Sequence, residues 1–203
     1  MFNNAFENTP EERDCWYCDD FCKLRCTIDE ECPYMAERIR DGDVDYSEVV
    51  WTTFKSPSGI FRWRLRYLVD HYEDTMWLDK SHERRFRSMW SMIDIRRKFD
   101  TPRFRAALYL LTADKELMYR AYDAFSNNGI IMDYIRMYGI SVSNYALVQA
   151  AKSIYLDSDH FTVADFEDTE AVNTDVFRLV VNAVLIARYG KNVMNIKGER
   201  EDD

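Results

Sequence analysis

The sequence predicts a mainly α-helical protein: a compact multi-helix domain with a small cysteine-rich metal module at its N-terminus. Three observations lead there. Apolar residues recur at three- and four-residue intervals from Ser81 to Tyr189, the spacing of helices that bury one face. Cap residues, prolines and glycines punctuate that region where such helices would start and stop. All five cysteines lie between residues 15 and 32. With 203 residues, 47% of them apolar and 31% charged, the chain is long enough for one sizeable core plus a small module. The expected divisions are a cysteine-rich zinc module over 1–42, a connecting segment over 43–80, a helical domain over 81–190 and a polar tail over 191–203.

The cysteines follow C-x2-C-x3-C-x3-C-x5-C. Zinc takes four ligands, and a C-x2-C pair can grip one ion from a tight turn. The predicted ligand set is Cys15, Cys18, Cys26 and Cys32, with Cys22 as the alternate for Cys26. Four thiolates also hold iron–sulfur clusters, which stand as the alternative cofactor. A closed four-thiolate site is structural, and metal binding would supply folding free energy that so polar a segment lacks. Trp16, Tyr17 and Phe21, set between the cysteines, are too many rings for such a module to bury and are expected at an interface.

After the module, "YMAERIRDG" reads as the end of a short helix stopped by Gly42. Val49, Val50, Trp51, Thr52, Thr53 and Phe54 favour an extended segment, and "SPSG" a turn. "IFRWRLRYLVDHYEDTMW" fits two patterns. As a strand, Phe61, Trp63, Leu65 and Tyr67 alternate with Arg62, Arg64 and Arg66, and a short β-hairpin forms near residues 49–67. As a helix, Phe61, Leu65, Leu68, Tyr72 and Met76 make one stripe, which also accounts for the residues after Tyr67.

Clearer helices follow. "HERRFRSMWSMIDIRRKF" aligns Phe86, Met89, Trp90 and Ile93. Pro102 suits a first turn, with Thr101 or Asp100 near the cap. Asp114 caps "DKELMYRAYDAF", "SNNG" is a turn, and "IIMDYIRMYG" is a short helix ending at Gly139. Ser141 or Ser143 opens "NYALVQAAKSIYL". The most apolar helix, "TDVFRLVVNAVLIARYG", buries Val176, Leu179, Val180, Ala183, Val184 and Ala187 and ends at Gly190.

Residues 82–190, through "HERRF", "FDTPRFRAALYLLTADKELMYRAYDAF", "GISVSNYALVQAAKSIYL" and "VFRLVVNAVLIARYG", resemble an uncharacterised all-helical domain family of Firmicutes and their phages or mobile elements. The matching positions are His82, Phe86, the run at 107–112 and Asp114. The resemblance implies a compact helical domain and transfers no catalytic residue.

Charge is unevenly spread. The net value is −9, with residues 51–105 at +6 between flanks of −9 and −6. No run of residues is long and apolar enough for a membrane helix, and the N-terminus lacks a secretory pattern, so a cytoplasmic protein of a bacterial or infected host cell is expected. A Gly-rich phosphate loop, G-x-S-x-G and H-E-x-x-H are all missing. The expected function is therefore non-enzymatic: a zinc-stabilised protein that binds a host protein, with phage association and a defence nuclease as target following from the resemblance and the acidic N-terminus. Two alternatives compete. A nucleic-acid-binding regulator would use Arg62, Arg64, Arg66 and a basic helix over 96–105 that includes Arg96 and Arg97. An enzyme would centre on His160 with Asp157, Asp159 and Asp165. His71 is a spare ligand if the module folds back on it, and His82 is expected to hydrogen-bond at a helix start.

Overall fold

The computed structural model describes residues 33–55, 57 and 59–198. Among them eight α-helices carry the fold: α1 (Pro33–Asp41), α2 (Tyr46–Thr53), α3 (Gly59–Asp70), α4 (Lys80–Ile93), α5 (Pro102–Leu111), α6 (Lys115–Ala121), α7 (Val142–Leu156) and α8 (Thr174–Tyr189). One two-stranded antiparallel sheet joins β1 (Phe125–Ser126) to β2 (Gly129–Ile130), with Phe125 opposite Ile130.

The cap chemistry explains the helix starts. Asp79, Thr101, Asp114, Ser141 and Asn173 each accept a bond from a first-turn amide, which satisfies donors that have no partner within the helix. Pro102 occupies the first turn of α5, where its missing N–H costs nothing. Gly190 ends α8 at φ +73°, a conformation that would strain a side chain.

Helix α5 lies at the centre, packed on α7 and α8. Phe104 and every residue from Ala106 to Leu111 are buried. A helix that is apolar all round must be covered all round. Helix α8 buries ten of its residues against it, from Val176 to Tyr189. Helices α2, α3 and α4 close the remaining sides through Val49, Val50, Leu65, Leu68, Phe86 and Met89. After Gly190 a 3-10 segment, Gly190–Asn195, turns back, and Val193 and Ile196 enter the core.

Inside this core sits a polar network with every member paired. Tyr46 donates to Asn182 Oδ1 (2.7 Å), Asn182 Nδ2 donates to the Met76 carbonyl (3.0 Å), and the Tyr109 hydroxyl donates to the same carbonyl. Burial pushes the phenols of Tyr46, Tyr72 and Tyr109 well above their usual range, so they act as neutral donors.

The expected hairpin and the expected basic helix both need correction. No β-hairpin forms at 49–67. Residues 46–53 and 59–70 are helices, because Asp45 caps α2 through Glu48 N (2.7 Å) and burial of Tyr46, Val49 and Val50 outweighs their β preference. The segment 96–105 is not one helix. Arg97–Phe99 form a single 3-10 turn and α5 starts afresh at Pro102.

Candidate functional site

Helix α3 shows two faces. Phe61, Arg64, Leu65 and Leu68 point inward. Trp63 and Tyr67, four residues apart, point outward, and His71 just beyond the helix extends their line. The rings form a column: Trp63 and Tyr67 lie 5.8 Å apart at 22°, and Tyr67 and His71 lie 4.1 Å apart at 22°. Trp63 is 67% exposed, an unusual state for the largest apolar side chain. The Tyr67 carbonyl accepts from His71 Nδ1 at 2.9 Å, which fixes the orientation of the ring.

Between this column and the first turns of α8 runs a groove of about 520 Å³, lined also by Glu73, Asp175 and Arg178. Arg64 anchors its floor. The guanidinium donates to the carbonyls of Phe166 (2.7 Å), Val172 and Asn173 (2.9 Å), and lies 4.2 Å from the Phe177 ring. Burial lowers its pKa from the ordinary arginine value. These bonds tie the segment before α8 onto α3 and so set the width of the groove. Arg178 is held in the same way, by the carbonyls of Thr75 (2.9 Å) and Trp77 (2.8 Å). Glu73 and Asp175 are exposed, and neither has an ion-pair partner among the described residues.

The residues singled out in the sequence are scattered around this fold. Arg62 and Arg66 are exposed on α3, whereas Arg64 is consumed by the three carbonyls, so the three do not form one cationic face. Arg96 and Arg97 are exposed at the 3-10 turn. Arg105 pairs with Asp100 (2.7 Å) and Arg103 with Asp157 (3.4 Å). Arg85 donates to the Thr112 carbonyl (2.8 Å) and to that of Ala113, closing the end of α5. His160 is exposed, and its neighbouring aspartates do not converge on it. Asp165 is bonded to Thr162 N (2.6 Å) and Oγ1 (2.8 Å), and Asp157 faces Arg103. A second, smaller cavity of about 180 Å³ lies between Arg103, Asp157 and Arg188. His82 is fully buried, accepting from Leu78 N (3.3 Å) at Nδ1 and donating from Nε2 to the Tyr109 carbonyl (2.9 Å).

The metal expectation is withdrawn. Among the described residues no group of three or more His, Cys, Asp or Glu side chains is placed to hold an ion. Cys15, Cys18, Cys22, Cys26 and Cys32, with Trp16, Tyr17 and Phe21, lie outside the described residues. His71, the proposed spare ligand, stacks on Tyr67 instead. Neither zinc nor an iron–sulfur cluster therefore has support in the fold. No helix of the described residues is long and apolar enough to cross a membrane.

Comparison with protein-family models, curated proteins and solved structures yields no match. The reading of a zinc-stabilised, phage-associated protein acting on a host protein or nuclease is withdrawn with the metal centre, since neither a site nor a relative upholds it. Sequence reasoning passed over the groove itself. Its one signal was the i, i+4, i+8 line of Trp63, Tyr67 and His71, which belongs to no buried stripe; the opposing wall comes from α8, more than 100 residues later.

Proposed function

We propose that the chain is a binding protein without chemistry of its own and that it meets its partner at the groove between α3 and the start of α8. The observation that carries this reading is the exposed ring column beside a concave surface. Large aromatic side chains anchor interfaces because each buries much area at little entropic cost. An exposed Trp63 costs the isolated protein hydration free energy that a partner would recover. The walls are rigid, since Arg64 and Arg178 fix them through five carbonyl bonds. A pre-formed site loses little free energy to ordering on binding.

The test is a photoreactive phenylalanine analogue installed at position 63 and, as control, at Tyr138, which is 97% exposed and is not part of the groove lining. Irradiation in the expressing cells should give one adduct of discrete mass from position 63 and none of that mass from position 138. Identical adduct patterns from both positions would remove the groove as a recognition site.

A further inference from the structure

We propose that the groove receives an arginine side chain presented by a partner polypeptide. This deepens the reading of the groove as the recognition site and rests on it. Three features of the site converge on a planar cation. The ring column offers its end faces, and aromatic faces attract cations through their quadrupole. Glu73 and Asp175 place two carboxylates on the groove lining with no cation of the described fold bonded to them. The two arginines that do line it, Arg64 through both terminal nitrogens and Arg178 through Nη2, donate to backbone carbonyls and are not bonded to either carboxylate.

A guanidinium meets both demands together. It is flat enough to continue the Trp63–Tyr67–His71 stack, and its forked N–H groups match a carboxylate two at a time. A lysine ammonium supplies the charge but neither the plane nor the fork. The chain as a whole, at −9, attracts a basic segment from a distance and repels a phosphate backbone. Arg62 and Arg66 are exposed on α3 and are not among the residues that line the groove.

The experiment uses the full chain labelled with 15N, following the Trp63 indole resonance, which is assigned by its loss in Trp63→Phe. Three probes are titrated: an acetylated, amidated peptide of alternating glycine and arginine, its lysine counterpart, and a short single-stranded oligonucleotide. The expected result is a saturable shift with the arginine peptide, tighter than with lysine by roughly fivefold, the worth of about one extra hydrogen bond from the fork. The Glu73→Gln, Asp175→Asn double variant should weaken it at least about tenfold, as losing two charge-assisted bonds implies. Both substitutions lie on exposed positions, and a thermal melt matching that of the unaltered chain confirms the fold. Equal binding of both peptides, indifference to the double variant, or preference for the oligonucleotide would overturn the proposal. If the arginine peptide leaves Trp63 unmoved while crosslinking from position 63 still yields its discrete adduct, the arginine assignment alone falls and the groove reading stands. Loss of both removes both.

Discussion

His82 has no access to solvent, and both of its ring nitrogens are hydrogen-bonded in a way only the neutral ring allows: Nδ1 accepts from Leu78 N and Nε2 donates to the Tyr109 carbonyl. Protonating Nδ1 would turn an acceptor against an amide donor. Burial is the main cause that pushes its pKa down to about 4, and nearby Arg85 adds to it, against the opposing pull of the Tyr109 carbonyl and Asp79. The unfolded chain binds this proton near pH 6.5, so folding favours the unprotonated form. The contribution is complete above pH 6.5 and is lost as pH falls from there toward 4, by about 3 kcal/mol in all. Urea unfolding between pH 7 and pH 4 should show that loss, and His82→Gln should flatten the slope in this window. Asp79, whose pKa is lowered chiefly by the His82 amide, acts in a separate window: its share is present above about 3.8 and disappears below it. Arg64 is the second residue on which much depends. Arg64→Met would leave the Phe166 and Val172 carbonyls without a donor, while that of Asn173 keeps its bond from Phe177 N, and should cost about 3 kcal/mol in unfolding free energy, measured by the urea midpoint.

At the scale of the element, the segments that matched expectation were those whose ends carry their own chemistry. Thr101 with Pro102, Asp114, Ser141 and Gly190 are punctuation that works locally, so α5, α6, α7 and the end of α8 were legible. Residues 130–139 were not. They carry a helical apolar pattern, but only Met132–Tyr134 make a 3-10 turn, because groups outside the segment satisfy its backbone. Ile130 N donates to the Tyr155 hydroxyl, Ile131 N to the Ala124 carbonyl, and Arg120 takes the carbonyls of Arg136, Tyr138 and Gly139. Nothing local announces such distant partners. Gly129, the first residue of β2, makes this turn testable. It sits at φ +121°, and a methyl group there would collide with the Tyr155 hydroxyl. Gly129→Ala should therefore destabilise by about 2 kcal/mol or more, through strain and the displaced bond to Ile130. The opposite sign is expected at Asp94, which ends α4 at φ 46° with a carboxylate beside the negative end of the helix. Asp94→Gly removes both costs and should raise the thermal midpoint, with a gain of about 1 kcal/mol.

Across the whole molecule, the groove and the C-terminal segment share one lesson: chain-distant pieces make both. Neither wall of the groove is a motif, and the pairing of α3 with the approach to α8 depends on a buried arginine, which alternation with Arg62 and Arg66 disguised as a surface residue. The residues after Gly190 look polar in sequence, yet Val193 and Ile196 are buried and the segment clips onto α2 and onto the connection between α3 and α4. Tyr46 N donates to the Lys197 carbonyl (2.8 Å), the Tyr72 hydroxyl to the Ile196 carbonyl (2.9 Å), and Gly198 N to Asp74 (2.6 Å). Tyr46 and Tyr72, stacked 3.7 Å apart, are thus held from one side by this strap and from the other by Asn182. Removing the segment would expose two apolar side chains worth about 2 kcal/mol each and break three bonds worth about 1 kcal/mol each. That sum rivals the whole stability of an ordinary domain, about 5–15 kcal/mol. A chain ending at Gly190 should therefore unfold at a much lower urea concentration than the full chain, and exchange protection should fall first at α1 and α2, which lean on the strap. A truncated chain that kept the full urea midpoint would show the segment to be a passive tail.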